Sequence, residues 1–233
     1  MSEDILEKQM FEIIQNRDML EYIKLAKMEM LISLGLDVNA KNSEGQTPLI
    51  CASSNGNQQI VEYLISKGAD VKIKDNDSED ALYKAVNSKH KDVAELLISN
   101  GADIDNKNRR GWTALRAALS WDGDIEIAKF LISKGANLNI EDHKGQTILM
   151  EAAFKGQTDI ARLLISSGAD IYVKDKSGKT AKDIAFNCYN KEIAMMLQEK
   201  MDGKSAQRDH EEVRNVAQNN GGFAESMKRW FGR

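Results

Sequence analysis

Two cysteines in 233 residues, Cys51 and Cys188, are too few for a disulfide framework and suit a reducing compartment. Histidine is nearly as scarce: His90, His143 and His210 are the only three, and none stands at metal-ligand spacing from another histidine or cysteine. The motifs G-x-S-x-G and H-E-x-x-H and a phosphate-cradling glycine loop are missing too. Without a convergent set of titratable groups the chain reads as no enzyme, with no cofactor and no metal. A formal net charge of −4 leaves no overall basic footprint, which argues against general nucleic-acid binding. No apolar run approaches the roughly 18 residues that span a bilayer, and the N-terminus, MSEDILEKQM, opens acidic without an apolar h-region. The expectation is a soluble, cytoplasmic protein without a standard export signal.

What is present is a hydrophobic fraction of 42%, enough for a sizeable core in one or two domains or a single array, and a phrase written five times. MLISLGLDV starts at Met30, YLISKGADV at Tyr63, LLISNGADI at Leu96, FLISKGANL at Phe130 and LLISSGADI at Leu163. Their glycines are Gly35, Gly68, Gly101, Gly135 and Gly168, separated by 33, 33, 34 and 33 residues. A fixed period of this size marks units that bury their apolar faces by stacking on neighbours. The apolar residues before each glycine belong to the last turns of a helix, which the glycine ends in a left-handed conformation.

Ten to eleven residues further on a second signature recurs, as EGQTPL at Glu44, RGWTAL at Arg110, KGQTIL at Lys144 and SGKTAK at Ser177, with a weaker DSEDAL at Asp77. Its glycines permit a tight turn, and Thr47, Asp80, Thr113, Thr147 and Thr180 are good N-caps for a following helix. Pro48, the single proline, falls at N1, where its missing N–H costs nothing. Each unit is therefore turn, helix, link, helix, turn.

These units resemble ankyrin repeats, whose glycine turn, T-P-L-H, paired alanines, I-V-x-L-L and G-A-D-V-N can be followed through GQTPLICASSNGNQQIVEYLISKGADVK and its successors. A tetratricopeptide array has a neighbouring period, but its tryptophan, Leu-Gly and tyrosine positions are missing and it leaves the G-A-D turn unexplained. The resemblance implies an all-α ankyrin-repeat solenoid of stacked helix-turn-helix units with hairpin-like turns. It places a capping unit over residues 1–43, repeats over 44–76, 77–109, 110–143, 144–176 and 177–201, and a linker with a short amphipathic tail over 202–233. The divergent first unit is distorted, with a long helix, MLEYIKLAKMEMLISL, and Lys182 in the last unit suits a cap facing water. The family's histidine after T-P-L is replaced by Ile50, Tyr83, Arg116, Met150 and Asp183, so its side-chain link between units is expected to be missing throughout and stability to be modest. His90 stands at the family's common histidine position in the turn between helices and reads as structural.

Scaffold repeats, so function must lie where the units differ. Ankyrin arrays usually meet partners on a concave face of turn tips and first-helix ends. At those positions unit one has Ser43, Glu44, Gln46, Ser54 and Asn55, and unit two is acidic and polar. Units three and four carry Arg109, Arg110, Trp112 and Trp121, then His143, Lys144, Phe154 and Lys155. Tryptophan and arginine are enriched at binding hot spots because they desolvate a large area and keep a polar handle. Against this, Trp121 could instead pack over the turn beside it, where the extra residue of the 34-residue unit lies, and Trp112 could be incidental. Glu44, Asp75, Asp77 and Glu79 against Arg109, Arg110, Lys144, Lys155, Lys176 and Lys179 form a charge gradient that would orient a partner with an acidic patch, unless it is merely a solvated pattern. The leading expectation is a monomeric, non-catalytic module that binds a protein on the concave face.

In the tail, Phe223, Met227, Trp230 and Phe231 fall on one helical face beside Lys228, Arg229 and Arg233. That pattern supports an alternative, a membrane-surface adaptor or secreted effector acting through its tail, as well as a tail docked on its own last unit.

Overall fold

The computed structural model describes residues 3–16, 18–120 and 124–203. The described residues form helices and turns, with no strand beyond one isolated bridge between Lys74 and Asp80. The chain divides into two compact units, Met1–Ile148 and Leu149–Arg233.

Among the described residues the first holds α1 (Glu3–Gln15), α2 (Glu21–Ser33), α3 (Pro48–Ser54), α4 (Gln58–Ser66), α5 (Ala81–Asn87), α6 (Lys91–Ser99), α7 (Ala114–Leu119) and α8 (Ile125–Ser133). They pack as consecutive pairs, α1 with α2, α3 with α4, α5 with α6 and α7 with α8. The first members form one row, α1 on α3, α3 on α5 and α5 on α7; the second members form another, α2 on α4 and α4 on α6. Leu49 and Ala52, Leu82 and Ala85, and Leu115 and Ala118 line the first row with at most 3% exposure. Ile60, Val61 and Leu64, Val93, Ala94 and Leu97, and Ile127, Ala128 and Leu131 back them from the second row. Burial of each large aliphatic side chain contributes about 1.5–3 kcal/mol, and alanine on the first helices lets neighbouring backbones come close. In the second unit, α9 (Ile148–Lys155), α10 (Thr158–Ser166), α11 (Ala181–Asn187) and α12, helical over 191–203, repeat the pattern around Leu149, Ala152, Ile160, Leu164, Ile184, Ile193 and Leu197.

Local chemistry sets the ends of these elements. Thr47, Asp80, Thr113 and Thr180 accept hydrogen bonds from the backbone N–H groups of Ile50, Tyr83, Arg116 and Asp183, which caps α3, α5, α7 and α11 as their residue types predict. At the far end of α6, Gly101 has φ of +86°, its N–H donates to the Ile98 carbonyl and that of Ala102 to the Leu97 carbonyl. The glycine is needed for this left-handed turn, not for room, because nothing lies within 4 Å of where its Cβ would be.

Three features depart from the sequence reading. Helix α1 precedes the expected α2, and its signal is the apolar set Leu6, Met10, Ile13 and Ile14, all buried on one helical face. Ser78 takes the place of the turn glycine in unit two and adopts φ of +61° without it. Lys182 is half-buried instead of facing water, because its Nζ donates to Gln198 Oε1 at 2.7 Å.

Candidate protein-binding surface

The turn tips are built by residues whose part in the turn the sequence reading passed over. Asn42, Asp75, Asn108, Asp142 and Asp175 open them, at spacings that follow the repeat. Each uses one side-chain oxygen to accept two backbone N–H bonds, from the residues two and four further on. For Asn108 these are Arg110 at 2.9 Å and Trp112 at 3.0 Å; for Asp142 they are Lys144 at 2.8 Å and Gln146 at 2.9 Å. The Asn108 N–H also donates to the Trp112 carbonyl at 3.0 Å, and the Asp142 N–H to that of Gln146 at 3.0 Å. A recurring Asn or Asp four residues before the signature's Gln, Glu, Trp or Lys was the legible signal for this asparagine or aspartate turn.

Neighbouring tips in the first unit are also tied. The N–H of Asn76 donates to the Glu44 carbonyl at 3.0 Å, that of Arg109 to the Asp77 carbonyl at 2.9 Å, and His143 Nε2 lies 2.6 Å from the Arg109 carbonyl. His143 therefore holds the Arg109 turn while remaining exposed itself.

Trp112 is half-buried at its tip. The guanidinium carbons of Arg110 and Arg116 lie 5.4 and 5.2 Å from the indole ring centre, within cation–π range. Arg116 is buried, and its Nη2 meets Asp142 Oδ2 at 3.1 Å while Nη1 donates to the Gln146 carbonyl at 3.4 Å. This corrects the expectation that side-chain links between units are missing: at the family's histidine position Arg116 reaches the next tip instead, because its longer, five-donor fork spans a gap that imidazole would bridge from closer range.

The charge gradient is also less simple than its sequence. Asp75 and Glu79 are held by Lys84, the former at 3.0 Å, and Lys155 pairs with Glu151 at 2.7 Å. Glu44 and Asp77 remain exposed on the first two tips, and Arg109, Arg110, His143 and Lys144 on the next two. In the second unit Phe154 is 65% exposed and Lys155 is exposed beside it, and Lys176 and Lys179 are exposed on the last tip. Trp121 lies outside the described residues, as do Phe223, Met227, Trp230 and Phe231.

His90 is structural in its geometry. Its Nε2 lies 3.2 Å from the Ser54 carbonyl, and its ring sits against Gly56 so closely that a Cβ there would come within 2.5 Å of Nδ1. Both cysteines are free, and burial raises the Cys51 thiol to about 11, far from a reactive thiolate. Among the described residues no helix is long and apolar enough to cross a membrane.

Comparison with known proteins agrees with this architecture. The family model described as ankyrin repeats (3 copies) matches residues 19–108, 82–175 and 114–209. No curated protein matches significantly. Among solved structures, a chain of the complex of the predatory endopeptidase Bd0816 from Bdellovibrio bacteriovorus with immunity protein Bd3460 is similar at 33% identity and a TM-score of 0.69, covering 83% of this chain and 98% of its own. With its repeated helix pairs, capped turns and these matches, the chain belongs to the ankyrin-repeat family.

Proposed function

We propose that this protein is a non-catalytic binding module whose partner is another protein, held at the tips of units three and four by Trp112, Arg109, Arg110, His143 and Lys144. The observation that carries the reading is the set of groups around Trp112. The indole has two guanidinium groups within cation–π distance, one of them anchored by Asp142, on turns fixed by side-chain-to-backbone bonds. A rigid aromatic with cations at its rim loses little conformational freedom on binding, which is what makes such residues effective anchors. The exposed Arg109, Arg110 and Lys144 fit a partner with an acidic patch.

The similarity to a chain from an endopeptidase–immunity protein complex supports a narrower reading, in which the partner is a peptidase and binding restrains it. The test is affinity capture from the source cell with wild type and with Trp112→Ala, followed by peptidase assay of what is captured. The expected result is a peptidase retained by wild type, lost with the variant, and inhibited at stoichiometric amounts. A peptidase captured equally by both proteins would remove Trp112 from the interface. One that stays fully active when bound would remove the inhibitory role and leave the binding role standing.

A further inference from the structure

The first helices carry two positions, three and six residues after the N-cap, that lie on one helical face. In α3, α5, α7 and α9 they hold Ile50 and Ser53, Tyr83 and Val86, Arg116 and Leu119, and Met150 and Ala153, none more than 7% exposed. Within the first unit the reason is visible: α3 packs on α5 and α5 on α7, so each first helix is followed by another. In α11 the same positions hold Asp183, which is exposed, and Phe186, which is 75% exposed. An aspartate suits an open end; a phenylalanine at the slot that is buried four times over does not. Phe154, 65% exposed, and Tyr189, 86% exposed, lie close to the same end, because Asn190, directly after Tyr189, donates from Nδ2 to the Ala153 and Phe154 carbonyls at 2.8 and 3.2 Å.

We propose that this open end of α11 is the docking site of the chain's own segment 223–231, whose Phe223, Met227, Trp230 and Phe231 cover Phe186 as a further repeat would. Two arguments select this occupant. The first is apolar match: on a helical period those four residues make one face of the kind that first helices bury elsewhere in the chain. The second is reach. Helix α12 begins right after the Tyr189–Asn190 turn and its 13 residues, 191–203, carry the chain about 20 Å away at 1.5 Å per residue. The linker 204–222 must return that distance, and a flexible chain of its length has a root-mean-square span of about 25 Å. Docking in this way is independent of the partner surface at Trp112.

Hydrogen exchange of the full chain, read by mass spectrometry, tests this. Residues 223–231 are expected to exchange at least about tenfold more slowly than 204–222, at every protein concentration, and to lose that protection in Phe186→Asp and in Met227→Asp. Exchange of α3 to α8 serves as the control for folding, and Met227→Asp leaves the repeats untouched. Exchange of 223–231 at the rate of an unstructured peptide overturns the proposal, as does protection that survives Phe186→Asp. Protection that grows with protein concentration assigns the site to a second copy, and protection that appears only with anionic vesicles assigns the segment to a lipid surface; either also overturns it.

Discussion

Asp80 stands where the other four units have threonine, and burial raises its carboxyl to about 6 despite the N–H bond it accepts from Tyr83. The folded state therefore holds this proton more tightly than the unfolded chain does. Stability associated with Asp80 is fully present below the normal carboxylate range and is lost as pH rises toward about 6, by up to about 3 kcal/mol. Threonine caps α3 with the same geometry and carries no charge. Asp80→Thr is expected to raise the melting temperature at pH 7.5, with an advantage that shrinks when the measurement is repeated at pH 4.5. An advantage independent of pH would show that the gain is packing, not charge. Gly101 makes the opposite case: with φ of +86° and open space around it, Gly101→Val puts a β-branched residue in a left-handed site at a cost of at least about 1–2 kcal/mol, read as a lower denaturant midpoint. Among the described residues Ser53 Oγ is buried without a partner, so Ser53→Ala should be neutral or stabilising by up to about 1 kcal/mol in the same assay.

Between elements, the contact with most consequence is the one from α7 to the next tip. Arg116 and Asp142 are both about nine-tenths buried, and removing Arg116 takes a counterion from Asp142 in a poorly solvated place. Arg116→Met is expected to destabilise by roughly 3 kcal/mol and also to loosen Trp112, which loses one of its two cations. Chemical denaturation reports the first effect and indole fluorescence the second. A double-mutant cycle with Asp142→Asn separates the pair from its surroundings; a coupling near zero would mean that the pair adds nothing to the other bonds that hold the tip. Within the second compact unit, Thr180 and Asp183 form a reciprocal capping box on α11, a local device that needs no neighbour to stabilise it.

For the molecule as a binding partner, a net charge of −4 coexists with a cluster of exposed cations at the tips of units three and four. Charge placed in this way acts through encounter. Arg109→Glu with Arg110→Glu is expected to slow association by about tenfold at low salt, with the difference fading at high ionic strength. Trp112→Ala should act on dissociation instead and cost about 2 kcal/mol in affinity. Stopped-flow association and surface-based dissociation kinetics distinguish the two. Equal effects of both variants on association alone would place the indole at the rim, not the centre, of the interface.

The period, the helix pairs, the caps and the terminating glycines were legible in the sequence because each depends on residues within one turn of each other. A threonine bonds an N–H three residues on, and a glycine relaxes its own backbone. The chemistry at the tips was partly legible: residue types marked units three and four, and the periodic Asn or Asp that builds each turn was there to be read. What required the tertiary structure was every property that depends on the neighbouring unit. Arg116 could be read as a lost histidine until its reach to Asp142 was seen, 26 residues away in the chain. Trp112 could be read as bare until its flanking guanidinium groups were in place. Phe186 looks like any other apolar residue of a first helix; only the burial of its four counterparts makes it an open slot. Local backbone and capping preferences are written residue by residue, whereas burial and pairing between units are decided by which surfaces the stack brings together.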